Sequence, residues 1–140
     1  MKRLILMLAS LALISSALAQ TQIEFWHAFS DANRSGWIQD RIDEFNAQLA
    51  EQGKDYVVVG ERKGSYPETQ QAAVLAARQG NPPHLVQLYE VGSQIAVDSG
   101  IFMPVIELGE LDTPDYIERV LNYYNISGQV NTIPFNSSST

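Results

Sequence analysis

Short apolar runs alternate with amphipathic stretches along most of this 140-residue chain. That pattern predicts strands and covering helices in βαβ units around a parallel sheet, an α/β fold. Residues 23–26, from Ile23 to Trp26, form the first predicted strand. Trp37, Ile38, Ile42, Phe45 and Leu49 then recur at steps that keep one helical face apolar. Ser30 or Asp31 is the predicted N-cap of that helix and Gly53 its stop. Tyr56-Val57-Val58-Val59 is continuous and mostly β-branched, as suits a strand buried on both faces. Residues 60–64 read as a loop. Ser65-Tyr66-Pro67-Glu68 combines capping-box spacing with a proline in the first turn, and the alanine-rich run 72–77 carries a second helix to Gly80. Pro82-Pro83 bars its continuation.

Residues 84–89, from His84 to Tyr89, are the third predicted strand, and 91–99 a short helix closed by Gly100. Beyond this the periodicity weakens. Thr113-Pro114 caps a predicted helix running to about Tyr124 on the strength of Ile117, Val120, Leu121 and Tyr124. Gly128 marks a turn, and 130–135 reads as a further strand. There is no internal repeat and no Gly/Ser linker.

The first nineteen residues stand outside this pattern. Lys2 and Arg3 precede an apolar run over 4–14 broken only by Ser10, and Ala17-Leu18-Ala19 ends in small-x-small. This is the make-up of a cleaved secretory signal, with the mature chain starting near Gln20. The run is too short to span a bilayer, which takes about 20 apolar residues. Export implies the periplasm or the cell exterior. Losing Lys2 and Arg3 moves the formal charge from −7 to −9. That balance argues against a nucleic-acid partner, which needs a basic face. Without cysteine, disulfides and zinc-thiolate sites are excluded.

Parallel strands place their carboxyl ends on one edge of a sheet, and open α/β folds bind ligands outside that edge. Three segments are expected to share the crevice: 26–30, 60–66 and 90–93. Each leads into a helix N-terminus, where unpaired N–H groups favour an anion. Glu90 is then either a surface carboxylate or an acceptor for a polyol or sugar hydroxyl. Tyr66 either covers the core or offers a ligand its ring face and O–H. Trp26 and Phe29 read first as core residues, His27 as a satisfied loop histidine, and Lys63 as a solvated loop lysine able to attract an anion. Asp40, Asp43 and Glu44 lie on the polar face of the first helix.

Catalytic signatures are missing from the sequence. It contains no G-x-S-x-G elbow, phosphate-binding G-x-x-x-x-G-K-S/T loop or H-E-x-x-H motif, and no G-x-G-x-x-G follows the first strand. No catalytic residue, metal ligand or cofactor is expected. A binding protein fits better than an enzyme.

Four blocks carry a resemblance to a known family: Phe25-Trp26-His27, Lys63-Gly64-Ser65-Tyr66, the run from Gly80 to Gly92, and Pro134-Phe135-Asn136-Ser137-Ser138. Together they resemble the family 1 extracellular solute-binding proteins of ABC importers, above all the branch that takes up sn-glycerol-3-phosphate. The resemblance implies a periplasmic binding protein-like (type II) fold that closes on its ligand between two lobes. It also implies delivery to ABC permease subunits at the inner membrane, and a monomer when full length. Tyr66, Glu90 and Ser138 occupy the family's ligand-contact positions, with Trp26 and His27 as possible additional contacts. The family continues past the Asn-Ser-Ser block into a second lobe, and this sequence has Ser139-Thr140 where the family has Thr-Pro. On this reading 1–19 is the signal peptide and 20–140 most of the N-terminal lobe, a fragment lacking the second. The expected ligand is glycerol-3-phosphate or a glycerophosphodiester. A sugar or oligosaccharide is the alternative within the family. A secreted α/β hydrolase fragment is the alternative outside it, to be favoured if Ser138 meets an acid and a histidine.

Overall fold

In the computed structural model, residues 20–109 and 115–136 are described, with the backbone alone for Glu90 and Val91. The leader expected at 1–19, the cap expected at Thr113-Pro114 and the contact expected at Ser138 lie outside the described residues. The chain runs β1 (Thr21–His27), α1 (Ala32–Glu51), β2 (Tyr56–Arg62), α2 (Tyr66–Arg78), β3 (Leu85–Val86) and α3 (Glu90–Ser99). A 3₁₀ turn (Val105–Leu108), α4 (Glu118–Tyr123), β4 (Asn125–Ile126) and β5 (Gln129–Val130) follow.

β1 is the centre of a three-stranded parallel sheet ordered β2-β1-β3. Thr21 to His27 pair in register with Tyr56 to Arg62, while Phe25 and Trp26 pair with Leu85 and Val86. The pairing with β1 extends β2 through Gly60, Glu61 and Arg62, so the loop expected at 60–64 is shorter. Gly60 makes this possible because a Cβ there would stand 2.6 Å from Ile42 Cδ1.

Helix α1 starts at Asp31, whose carboxylate accepts from Arg34 N–H at 2.9 Å, and Gly53 follows its end at φ +66°. Its apolar face is narrower than the periodicity implied. Ile38 and Ile42 are buried with Phe29, while Trp37 and Phe45 are each about half exposed. A helix laid on the small β2-β1 surface can bury only its central ridge. Asn46 compensates for the short contact by bonding both Val58 N–H and Val58 C=O, at 2.8 and 2.9 Å. Helix α2 has Pro67 in its first turn, and Glu68 accepts from Ser65 N–H at 2.6 Å, the reciprocal half of a capping box.

Three further expectations are corrected. β3 has two residues where six were expected, because Tyr89 turns to cap α3 and Glu90 is already helical. Helix α4 has six residues, too few to bury its apolar positions. The strand expected over 130–135 is the second arm of a two-residue hairpin, β4-β5, turned by Ser127 and Gly128 with both φ positive. The Asn131 amide bonds the carbonyls of Ile126 and Gln129, ending the ladder there, and Pro134 has no N–H to extend it.

Candidate functional site

From β1 the chain crosses to β2 on one side, then returns through α2 to β3 on the other. The order reverses between β1 and β3, so the crevice of such a sheet lies beyond the carboxyl ends of those two strands. Residues 26–29 and 87–90 meet there. Gln87 N–H still donates to Trp26 C=O at 2.8 Å, holding the two segments side by side.

Gln87 interrupts the apolar run Leu85-Val86-Gln87-Leu88 and is buried, so both ends of its amide need partners. Its Oε1 accepts from Ala28 N–H at 2.9 Å. Its Nε2 donates to Asn136 Oδ1 at 2.8 Å, and Asn136 Nδ2 donates to the Tyr66 hydroxyl at 3.3 Å. Asn136 reaches this place because Phe135 is anchored beneath it. The Phe135 ring meets Phe25 edge-on at 5.7 Å, stacks on Phe29 at 6.1 Å and touches Trp37 at 6.1 Å.

Tyr66 opens α2, half-buried, with its ring against the Phe29–Ile38–Ile42 cluster and 6.1 Å from the Tyr89 ring. Glu90 is the first residue of α3. The N-termini of α2 and α3 are tied together by Gln70, whose Nε2 donates to Gly92 C=O at 3.0 Å. A Cβ on Gly92 would lie 2.3 Å from Gln70 Oε1, so only glycine permits the approach. Tyr66 and Glu90 thus begin adjacent helices at one edge, as the crevice reading expected.

Trp26 and His27 lie under that edge. Both are buried, and Trp26 Nε1 and His27 Nδ1 have no hydrogen-bond partner among the described residues. Burial, reinforced by the nearby Arg62 charge, holds the His27 pKa below its ordinary value. Lys63 does not stand free in solvent. Its Nζ lies 3.9 Å from the Trp26 ring centroid and 2.6 Å from Glu61 Oε1. His84 is at the opposite end of β3, where its Nδ1 accepts from Glu24 N–H at 3.1 Å. Among the described residues no three His, Cys, Asp or Glu side chains gather as a metal site requires.

A cleft of about 610 Å³ opens beside β3, mainly apolar, between Leu88 and the segment carrying Met103 and Leu108. Gln87 and Asn136 supply polar groups to its wall. Sequence reasoning passed over both as site residues. For Gln87 the detectable signal was a lone amide inside the apolar run 85–88.

A parallel sheet with the N-termini of α2 and α3 beside its switch point, joined by an amide relay that runs from the buried Gln87 out to Tyr66, has the form of the edge at which open α/β lobes bind ligands. Comparison with known proteins gives the family. Residues 40–140 match the bacterial extracellular solute-binding proteins, and this chain belongs to that family. The sn-glycerol-3-phosphate-binding periplasmic protein of Brucella abortus (strain 2308) is 31% identical over 137 residues, covering 93% of this chain and 30% of that protein. Its counterpart in Salmonella typhimurium (strain LT2) is 33% identical with the same coverage. The chain therefore spans about 30% of the length of these curated relatives. Among solved structures, the cyclic alpha-maltosyl-1,6-maltose binding protein of Arthrobacter globiformis superposes with a TM-score of 0.62 at 15% identity. That match covers 79% of this chain and 27% of the other, and shows the periplasmic-binding-protein fold.

Proposed function

We propose that this chain holds most of the N-terminal lobe of a longer periplasmic receptor that binds sn-glycerol-3-phosphate or a glycerophosphodiester and delivers it to ABC permease subunits. The observation that carries the reading is the meeting of Tyr66, the Glu90 backbone and Asn136 at one sheet edge, in a chain whose relatives are named for glycerol-3-phosphate. Tyr66, Glu90 and Ser138 are the proposed contacts, with Trp26 and His27 as further ones. The Glu90 carboxylate would accept from the glycerol hydroxyls. The charge of −9 left once the leader is removed repels a phosphomonoester, so capture falls to hydroxyls, backbone N–H groups and whatever cation a second lobe supplies. Cleavage after Ala19 and a periplasmic location belong to the same proposal. So does the absence of catalysis, since the named relatives are binding proteins.

Calorimetric titration of the full-length receptor is the test. Glycerol-3-phosphate should bind, and Glu90→Ala should weaken it by roughly 1.5–3 kcal/mol, the worth of a hydrogen bond to a charged group. Wild-type affinity in both Glu90→Ala and Tyr66→Phe would move the site elsewhere. The second reading, a sugar or oligosaccharide ligand, is favoured by the Tyr66–Tyr89 ring pair, which offers aromatic faces beside the crevice. Binding of a maltooligosaccharide with no response to glycerol-3-phosphate would establish it.

A further inference from the structure

The hydrogen bonds linking Ala28, Gln87, Asn136 and Tyr66 form a chain with one possible direction. Ala28 N–H is a backbone amide and can only donate. The Gln87 atom 2.9 Å from it must therefore be the carbonyl oxygen, which leaves the Gln87 NH₂ facing Asn136. The Asn136 atom receiving that bond at 2.8 Å must be its oxygen, so the Asn136 NH₂ faces Tyr66. The Tyr66 oxygen accepts at 3.3 Å, and its own proton turns away from Asn136. Neither amide can flip without setting a donor against a donor. The first link is secure because Gln87 is only 4% exposed, so losing the Ala28 N–H would leave its carbonyl oxygen unpaired at the full cost of desolvation.

We propose that Gln87 and Asn136 are positioning residues that fix Tyr66 as a hydrogen-bond donor toward the ligand, so that the ligand atom at Tyr66 must be an acceptor. This rests on Tyr66 being a ligand contact, as proposed above. A phosphate or phosphodiester oxygen is a pure acceptor and meets the requirement in every orientation. A sugar hydroxyl meets it only by turning its own proton aside. The relay thus selects for the phosphate end of a glycerophosphate at Tyr66 and leaves the hydroxyl end for an acceptor such as a carboxylate.

The test is a double-mutant cycle on the full-length receptor with glycerol-3-phosphate, read by calorimetry. Tyr66→Phe removes the donor and should weaken binding about tenfold. Asn136→Asp keeps the oxygen that accepts from Gln87 but presents a second acceptor to Tyr66. The tyrosine proton then turns inward, and the loss should match that of Tyr66→Phe. In the Tyr66→Phe background, Asn136→Asp should add less than twofold, because no proton remains to redirect.

An Asn136→Asp loss that persists undiminished in the Tyr66→Phe background would overturn the proposal, since added charge or disturbed folding would then be the cause. Unchanged binding in Asn136→Asp with a clear loss in Tyr66→Phe would overturn it too, while leaving Tyr66 a ligand contact. Unchanged binding in Tyr66→Phe would remove the premise itself.

Discussion

Residues 21–78 and residues 101–136 contain comparable apolar side chains and do different things with them. In the first stretch, β1 and β2 pair over seven residues each and α1 lies across them, so Phe29, Ile38 and Ile42 close into a core. In the second, a 3₁₀ turn, a six-residue helix and a two-residue hairpin are each too short to present a face. Met103, Leu108, Ile117 and Tyr123 are all left more than 60% exposed. Apolar content alone does not make a core; a regular element long enough to align several side chains must come first. The second stretch touches the sheet through Phe135 and Asn136, and those two contacts bring it to the candidate site.

The sharpest way to break this contrast is a pair of truncations in the mature chain, followed by urea unfolding. Ile38→Ala should cost about 2–5 kcal/mol, as for other buried aliphatic residues, while Leu108→Ala should stay within about 0.5 kcal/mol. Equal losses would show that residues 101–136 also hold a packed core.

Gln87→Ala should come next. It strands Ala28 N–H in a buried site at roughly 1–3 kcal/mol, and it should speed amide exchange at 133–136 as Asn136 loses its tether. Unaltered exchange there would mean Phe135 alone anchors the segment.

Acid should loosen the first stretch. His27 is held below its ordinary value of 6.5 by burial and then by Arg62. As pH falls through 6.5 the unfolded chain binds a proton that the folded chain still refuses, so stability declines from there toward the folded pKa and is constant above. Asp31 and Glu68, both held below their ordinary carboxylate values by hydrogen bonds at helix starts, lose their contribution only in more acid solution. Urea titrations between pH 7 and 5 should show the slope, and His27→Gln should flatten it. A slope that survives the substitution would assign it to another group.

The smallest effect is expected from Lys63→Met. It keeps an apolar stem over Trp26 and loses the cation–π contact, about 0.5–1 kcal/mol. A larger loss would mean the Lys63–Glu61 pair matters more than an exposed ion pair ordinarily does.

Much of the first stretch was legible without coordinates. The cap at Ser30 or Asp31, which the structure assigns to Asp31, the Gly53 stop, the Ser65–Glu68 capping spacing and the alternation of strand and helix are all local signals, and each works within four or five residues. Local signals also put Tyr66 and Glu90 at helix starts on one edge. The errors came where a tertiary partner decides. Gly60 is a strand residue because Ile42 packs against it, and Trp37 and Phe45 stay half exposed because the sheet beneath α1 is narrow.

The sequence by itself determined the parallel α/β class and the element order from β1 to α3, since these follow from periodicity and from caps read over a single turn. Only the tertiary structure decided that Gln87 and Asn136, 49 residues apart, join hands, and that Asn136 meets Tyr66 across 70. The physical reason is that a hydrogen bond between distant residues leaves no periodic trace. It exists because the Phe135 ring, still about half exposed, meets Phe25, Phe29 and Trp37, and those contacts form only once β1 and α1 are assembled rather than within any one stretch of chain.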